Sequence, residues 1–261
     1  MKQTIRNRQG RQLAVYTDGL KDAPALVLSN SLGTDHGMWQ PQVNELKSYF
    51  NVITYDTRGH GESDVISNTT LQNLAEDVVD ILDALDIEKA HFCGISMGGI
   101  TGLWLGIHYP ERFLSITVAN SAAKIGQAEA WLSRAESVEQ NGLAELVKTT
   151  HTRWFSEKFD YQHNVVAQTT IQSLANTPAQ GYANACRALA HADLRDEIGE
   201  IQIPVLLIAG TEDPVTTVVD AEFMQKAIKN SQLAKLEASH LSNIEQPQKF
   251  TQELTRFIQQ I

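Results

Sequence analysis

Five short apolar runs punctuate the chain, at residues 25–28, 52–55, 90–93, 116–118 and 205–209. They are rich in β-branched residues and do not alternate with polar ones, as expected of strands covered on both faces. A sixth run, at 233–236, is weaker. Between them the period changes. Leu71, Leu74, Ala75, Val78, Leu82 and Leu85 recur at steps of three and four, with Glu76, Asp77 and Asp80 on other faces, the signature of an amphipathic helix. Near the end, Pro247 suits a first helical turn, and Phe250, Leu254, Phe257 and Ile258 share a face. The opening residues, with Gly10 between two short segments, read as an antiparallel hairpin at a sheet edge. Strand alternating with helix predicts an α/β fold, a mostly parallel central sheet flanked by helices.

Residues 121–190 break that rhythm. They hold no strong strand run, are rich in Ala, Glu and Gln, and carry Trp131 and Trp154, two of the four tryptophans. This stretch reads as a helical cap inserted between two strands of a core formed by 1–120 and 191–261. No Gly/Ser/Pro-rich linker or internal repeat separates them. At 261 residues the chain is long enough for one large core.

Composition narrows the function classes. The net charge of −10 argues against a nucleic-acid partner, because phosphate binding needs a basic face. It also means that an anionic ligand would need local positive charge. No apolar run approaches the roughly 20 residues of a membrane span. Met1-Lys2-Gln3-Thr4-Ile5-Arg6 is not followed by a signal-peptide pattern. Cys93 and Cys186 are too few for a disulfide framework and lie in apolar segments. A cytoplasmic protein is therefore expected. No His/Cys/Asp cluster has metal spacing, and no dinucleotide or phosphate-loop motif occurs, so neither metal nor cofactor is expected.

The chemistry concentrates in Gly94-Ile95-Ser96-Met97-Gly98-Gly99, a G-x-S-x-G turn after a strand and before a helix. Such an elbow exposes Ser96 above the carboxyl end of the sheet and leaves the Met97 N–H at a helix start, where negative charge is favoured. A serine needs a base, and in this arrangement an acid and then a histidine follow. Asp213, in Gly210-Thr211-Glu212-Asp213-Pro214, and His240, in Ala238-Ser239-His240-Leu241, both follow strand runs. Glu212 competes as the acid; Pro214 favours Asp213 by fixing the turn. The other seven histidines fit that chain order less well: His91 reads as a core histidine, and His60 and His36 lie in or near loops after strands. A second oxyanion donor is expected from Ser29-Asn30-Ser31-Leu32-Gly33-Thr34, with the Leu32 N–H paired to that of Met97.

These residues, with Met38-Trp39, Tyr55-Asp56-Thr57-Arg58-Gly59-His60-Gly61-Glu62-Ser63, Arg153-Trp154-Phe155, Thr211-Glu212-Asp213-Pro214-Val215-Thr216 and Ser239-His240, resemble the 3-oxoadipate enol-lactonases across nearly the whole chain. Those are α/β-hydrolases of the β-ketoadipate pathway of aromatic breakdown. Many α/β-hydrolases share the elbow and the Arg58-Gly59-His60-Gly61 loop; Asn30-Ser31-Leu32-Gly33 is more particular. The resemblance implies a cytosolic bacterial enzyme without a cofactor that opens a lactone bearing a free carboxylate. Ser96 would attack the ring carbonyl, His240 take its proton and Asp213 orient the imidazolium. Trp131, Arg134, Ser31 and Trp154 are the expected substrate contacts, with Trp131 and Arg134 as the pocket roof. A core tryptophan beside a solvated arginine is the other reading of that pair. A carboxylesterase, a perhydrolase-like ester or C–C bond hydrolase, and a non-catalytic ligand sensor stand as alternatives.

Overall fold

The computed structural model describes residues 1–261 and turns the apolar runs into neighbouring strands of one sheet. In chain order the elements are β1 (Lys2–Arg6), β2 (Gln12–Gly19), β3 (Ala25–Ser29), α1 (Gln40–Leu46), β4 (Asn51–Tyr55), α2 (Leu71–Ala84), β5 (Ala90–Ile95), α3 (Met97–His108) and β6 (Phe113–Ala119). Then come α4 (Ala128–Asn141), α5 (Ala144–Trp154), α6 (Val165–Asn176), α7 (Ala179–His191), β7 (Val205–Gly210), α8 (Val218–Ala227), β8 (Ser231–Leu236), α9 (Ser242–Glu245) and α10 (Pro247–Ile258). The strands lie in the order β1-β2-β4-β3-β5-β6-β7-β8. β1 and β2 form the edge hairpin, and β2 also runs antiparallel to β4. All pairings from β4 to β8 are parallel.

Burial explains the sequence pattern. Every residue of β3, β5 and β7 is buried, so nothing in those strands had to be polar. β8 is the far edge and keeps exposed positions, which weakens its apolar run. α2 buries the expected stripe, and Thr70 and Asn73 cap its start reciprocally, a device worth about 1 kcal/mol. α2 also buries Asp77, which the periodicity placed on another face. The reason is a partner: Arg58 Nε and Nη2 donate to Asp77 Oδ2 and Oδ1 at 2.6 and 2.7 Å, and Asn7 Nδ2 donates at 2.7 Å.

Residues 120–204, between β6 and β7, lie outside the sheet and carry α4 to α7. They rest on loops at the carboxyl ends of the parallel strands. Ser173 Oγ of α6 donates to Asp35 Oδ2 at 2.7 Å, beyond β3, and Asn184 Nδ2 of α7 donates to Ile66 O at 2.9 Å, beyond β4. Parallel strands put all their carboxyl ends on one side, where open α/β sheets hold their ligands. The loops carrying Leu32, Ser96, Asp213 and His240 therefore converge beneath these four helices.

Candidate active site

Ser96 is the single residue between β5 and α3, with φ 55° and ψ −112°. A non-glycine residue there is strained and persists only where its surroundings hold it. The Ser96 N–H donates to Ala119 O at 3.0 Å, and Ser121 Oγ donates to Ser96 O at 2.7 Å. The neighbours must be small for a steric reason: a Cβ on Gly94 would run into the Gly98 carbonyl, and one on Gly98 into the Ser29 carbonyl.

Asp213 and His240 meet below the pocket. Asp213 Oδ2 lies 2.8 Å from His240 Nδ1 and also accepts from Asn120 Nδ2 at 3.0 Å and Thr216 Oγ1 at 2.9 Å. Its Oδ1 accepts the N–H groups of Val215 at 2.8 Å and Thr216 at 3.1 Å. Burial pushes the Asp213 carboxyl upward, but the charge and hydrogen bond of His240, with the Asn120 and Val215 donors, outweigh it and hold the group below the ordinary carboxylate value. An ionised carboxylate only accepts, so a proton lies on Nδ1 of the imidazole, and in the neutral ring the lone pair is then on Nε2. Glu212 is turned elsewhere: its carboxylate is 3.4 Å from Lys158 Nζ at the surface.

Ser96 and His240 face the same pocket, and no direct hydrogen bond joins them. Such contacts commonly tighten only when substrate arrives. The Met97 N–H opens α3 and has no intrahelical acceptor, and the Leu32 N–H has no backbone partner. Two hydrogen bonds hold these loops in register. Gly98 N–H donates to Asn30 O at 3.0 Å, and Gly33 N–H donates to His60 Nε2 at 3.1 Å. His60 lies fully buried, with Nδ1 3.2 Å from Arg58 O.

The pocket is small, about 40 Å³. Ser31, Leu32, Trp131, Arg134 and Trp154 line it together with Ser96 and His240. Trp131 is a buried lining residue: its Nε1 donates to Ile125 O at 2.6 Å, and the Arg134 guanidinium stacks 4.8 Å from its ring centre. Sequence reasoning missed Thr150, Arg153, Leu174, Tyr182 and Val215, which complete the lining. A signal for Arg153 existed, since Thr150, Arg153 and Trp154 fall at helical spacing on one face of α5. Leu174 and Tyr182 come from two further helices, and no local pattern links them. Neither Arg134 nor Arg153 has a carboxylate within 4 Å, and the lining contains no acid.

A family profile described as alpha/beta hydrolase fold matches residues 24–247. The chain belongs to the α/β-hydrolase family. This α/β-hydrolase is 67% identical to 3-oxoadipate enol-lactonase 1 of Acinetobacter baylyi over 98% of its own length and 97% of that protein's. It is 50% identical to 3-oxoadipate enol-lactonase 2 of the same organism, over 90% of this chain and 88% of that one. Among solved structures, the enol-lactonase of Burkholderia xenovorans superposes with a TM-score of 0.95 at 38% identity, covering 98% of this chain and 100% of the other.

Proposed function

We propose that this α/β-hydrolase opens the lactone ring of 3-oxoadipate enol-lactone to give 3-oxoadipate, through an acyl-enzyme on Ser96. The observation that carries this reading is the pairing of a 67% identical enol-lactonase relative with a pocket that sets two acid-free arginines beside a strained serine. His240 Nε2 takes the Ser96 proton while Asp213 holds the imidazole in its tautomer and balances the imidazolium. The N–H groups of Leu32 and Met97 receive the oxyanion, worth several kcal/mol of barrier. The ring oxygen leaves as an enolate still tethered to the acyl chain. Its protonation to a ketone removes a competing nucleophile, so ring closure does not reverse the step. Water then gives a proton to His240 and its hydroxide to the acyl carbon, and Ser96 regains its proton.

Arg134, stacked on Trp131, binds the carboxylate the substrate already carries; guanidinium forks suit that group. Ser31 and Trp154 complete the substrate contacts, and residues 121–190 act as the cap that encloses the ring. The free, buried Cys93 and Cys186 suit a reducing cytoplasm. An acid-free, doubly cationic lining is poorly matched to a neutral ester, which favours the anionic lactone over a general carboxylesterase role.

Steady-state turnover of the enol-lactone by wild type and Ser96→Ala tests the reading. Wild type is expected to turn over, and Ser96→Ala to lose at least about 10⁴-fold in kcat. A Ser96→Ala protein that keeps wild-type turnover would rule out the acyl-enzyme.

A further inference from the structure

Two guanidinium groups share this pocket, while the substrate brings one carboxylate. Arg153 needs its own explanation. It is half-buried, close enough to Arg134 for their charges to oppose one another, and faces no acid. Like charges held together without a counterion are unfavourable until an anion arrives.

Position separates the two groups. Arg134 lies on the roof, over Trp131 and toward Tyr182 of α7. Arg153 lies in the last turn of α5, and its backbone is fastened to the segment carrying His240. Ser239 Oγ donates to Arg153 O at 3.3 Å, and Leu241 N–H donates to Trp154 O at 2.9 Å. Glu245 adds a brace, accepting from Ser239 N–H at 2.9 Å, from Ser156 N–H at 3.2 Å and from Ser156 Oγ. The backbone of Arg153 therefore adjoins the loop that carries the base, and its side chain lines the same pocket.

The leaving oxygen of the ring must lie within reach of that base. His240 takes the proton of Ser96 and must be able to return a proton to the departing group. We infer that Arg153 is a second cation dedicated to the charge that ring opening creates, stabilising the enolate oxygen as it departs. This role rests on the lactonase reading. In the acylation step the Ser96 Oγ–carbonyl carbon bond forms and the carbon–ring oxygen bond breaks. The electron pair stays on the ring oxygen beside Arg153, and the Ser96 proton rests on His240 before moving to the enolate. The oxyanion of the tetrahedral intermediate is a separate charge, held by the Leu32 and Met97 amides. Arg134 contacts a carboxylate present before and after reaction, so it contributes to binding in both states, whereas Arg153 contributes most as the bond breaks.

Single-turnover kinetics on the intact enzyme separate the two arginines. Arg153→Gln is expected to slow acylation at saturating enol-lactone about 100-fold with substrate Kd within threefold of wild type. Arg153→Lys should recover about tenfold of that loss. Arg134→Gln should raise Kd at least tenfold with the acylation rate within threefold. A series of aryl acetates of graded leaving-group acidity supplies a readout that a merely structural role would not move. Arg153→Gln should lose least on p-nitrophenyl acetate and progressively more as the leaving group becomes more basic. Equal loss across the series, or a Kd effect with no change in acylation, would overturn the assignment. The aryl acetate arm decides this even if wild type fails to open the enol-lactone, an outcome that would sink the lactonase reading itself.

Discussion

Asn120 shows how much of the site depends on a residue that never touches the pocket. It sits in a left-handed conformation, φ 42°, directly after β6. Its Nδ2 donates to Asp213 Oδ2 and to Ser239 O, both at 3.0 Å, and its Oδ1 accepts from Ser242 Oγ at 2.5 Å. One amide thus ties the acid loop to the histidine loop. Because the Asp213 carboxyl is held below its ordinary value of 3.8, its stabilising effect is fully present above that pH. It fades as pH falls through the lower folded-state value. Asn120→Ala removes one donor and lets the folded value rise toward the ordinary one. The acid-unfolding midpoint, followed by circular dichroism, should therefore move to higher pH. Asn120 is polar, conformationally unusual and adjacent to no motif, so the sequence offered no reason to single it out. Ser96, Asp213 and His240 could be nominated from the sequence because each follows a strand run, and each does lie just past a strand. For Arg153 the spacing with Thr150 and Trp154 was visible, but what it meets comes from α4, α7 and the His240 loop, which no local pattern links.

At the scale of elements, the strands and α2 were readable because both depend on local periodicity. What periodicity cannot encode is a charge buried for a distant partner. Asp77 was assigned to a polar face of α2, yet it and Arg58 are each 2% exposed. Their pair pins the loop after β4, and that loop in turn places His60 under Gly33. Burial lifts the Asp77 carboxyl above its ordinary range despite the Arg58 and Asn7 hydrogen bonds that oppose it. Asp77→Ala leaves a guanidinium buried and unpaired, which should cost about 3–5 kcal/mol of unfolding free energy by denaturant titration. Replacing both members with apolar residues, Arg58→Met with Asp77→Leu, should recover most of it.

At the scale of the molecule, a net charge of −10 surrounds a pocket lined by two arginines and no acid. Charges screen over about 10 Å at 0.1 M salt, so near the pocket the arginines dominate and the distant acids do not. Raising salt from 0.1 to 1 M should therefore lower kcat/KM for the anionic lactone. Hydrolysis of neutral p-nitrophenyl acetate by the same enzyme should barely respond. A lactone rate that climbs with salt would mean that the global field, rather than the pocket, governs approach.

The hydrogen bonds from Ser239 and Leu241 to the end of α5 have a bearing on ancestry and engineering. Helices inserted into a sheet are often treated as interchangeable parts, free to be traded for new specificity. Here the inserted stretch also helps to fix the backbone beside His240, the base of the proposed reaction. Exchanging it wholesale would disturb the reaction along with the choice of substrate. Diversification on this scaffold is easiest through side chains of the roof, with the stem at 153–156 inherited intact.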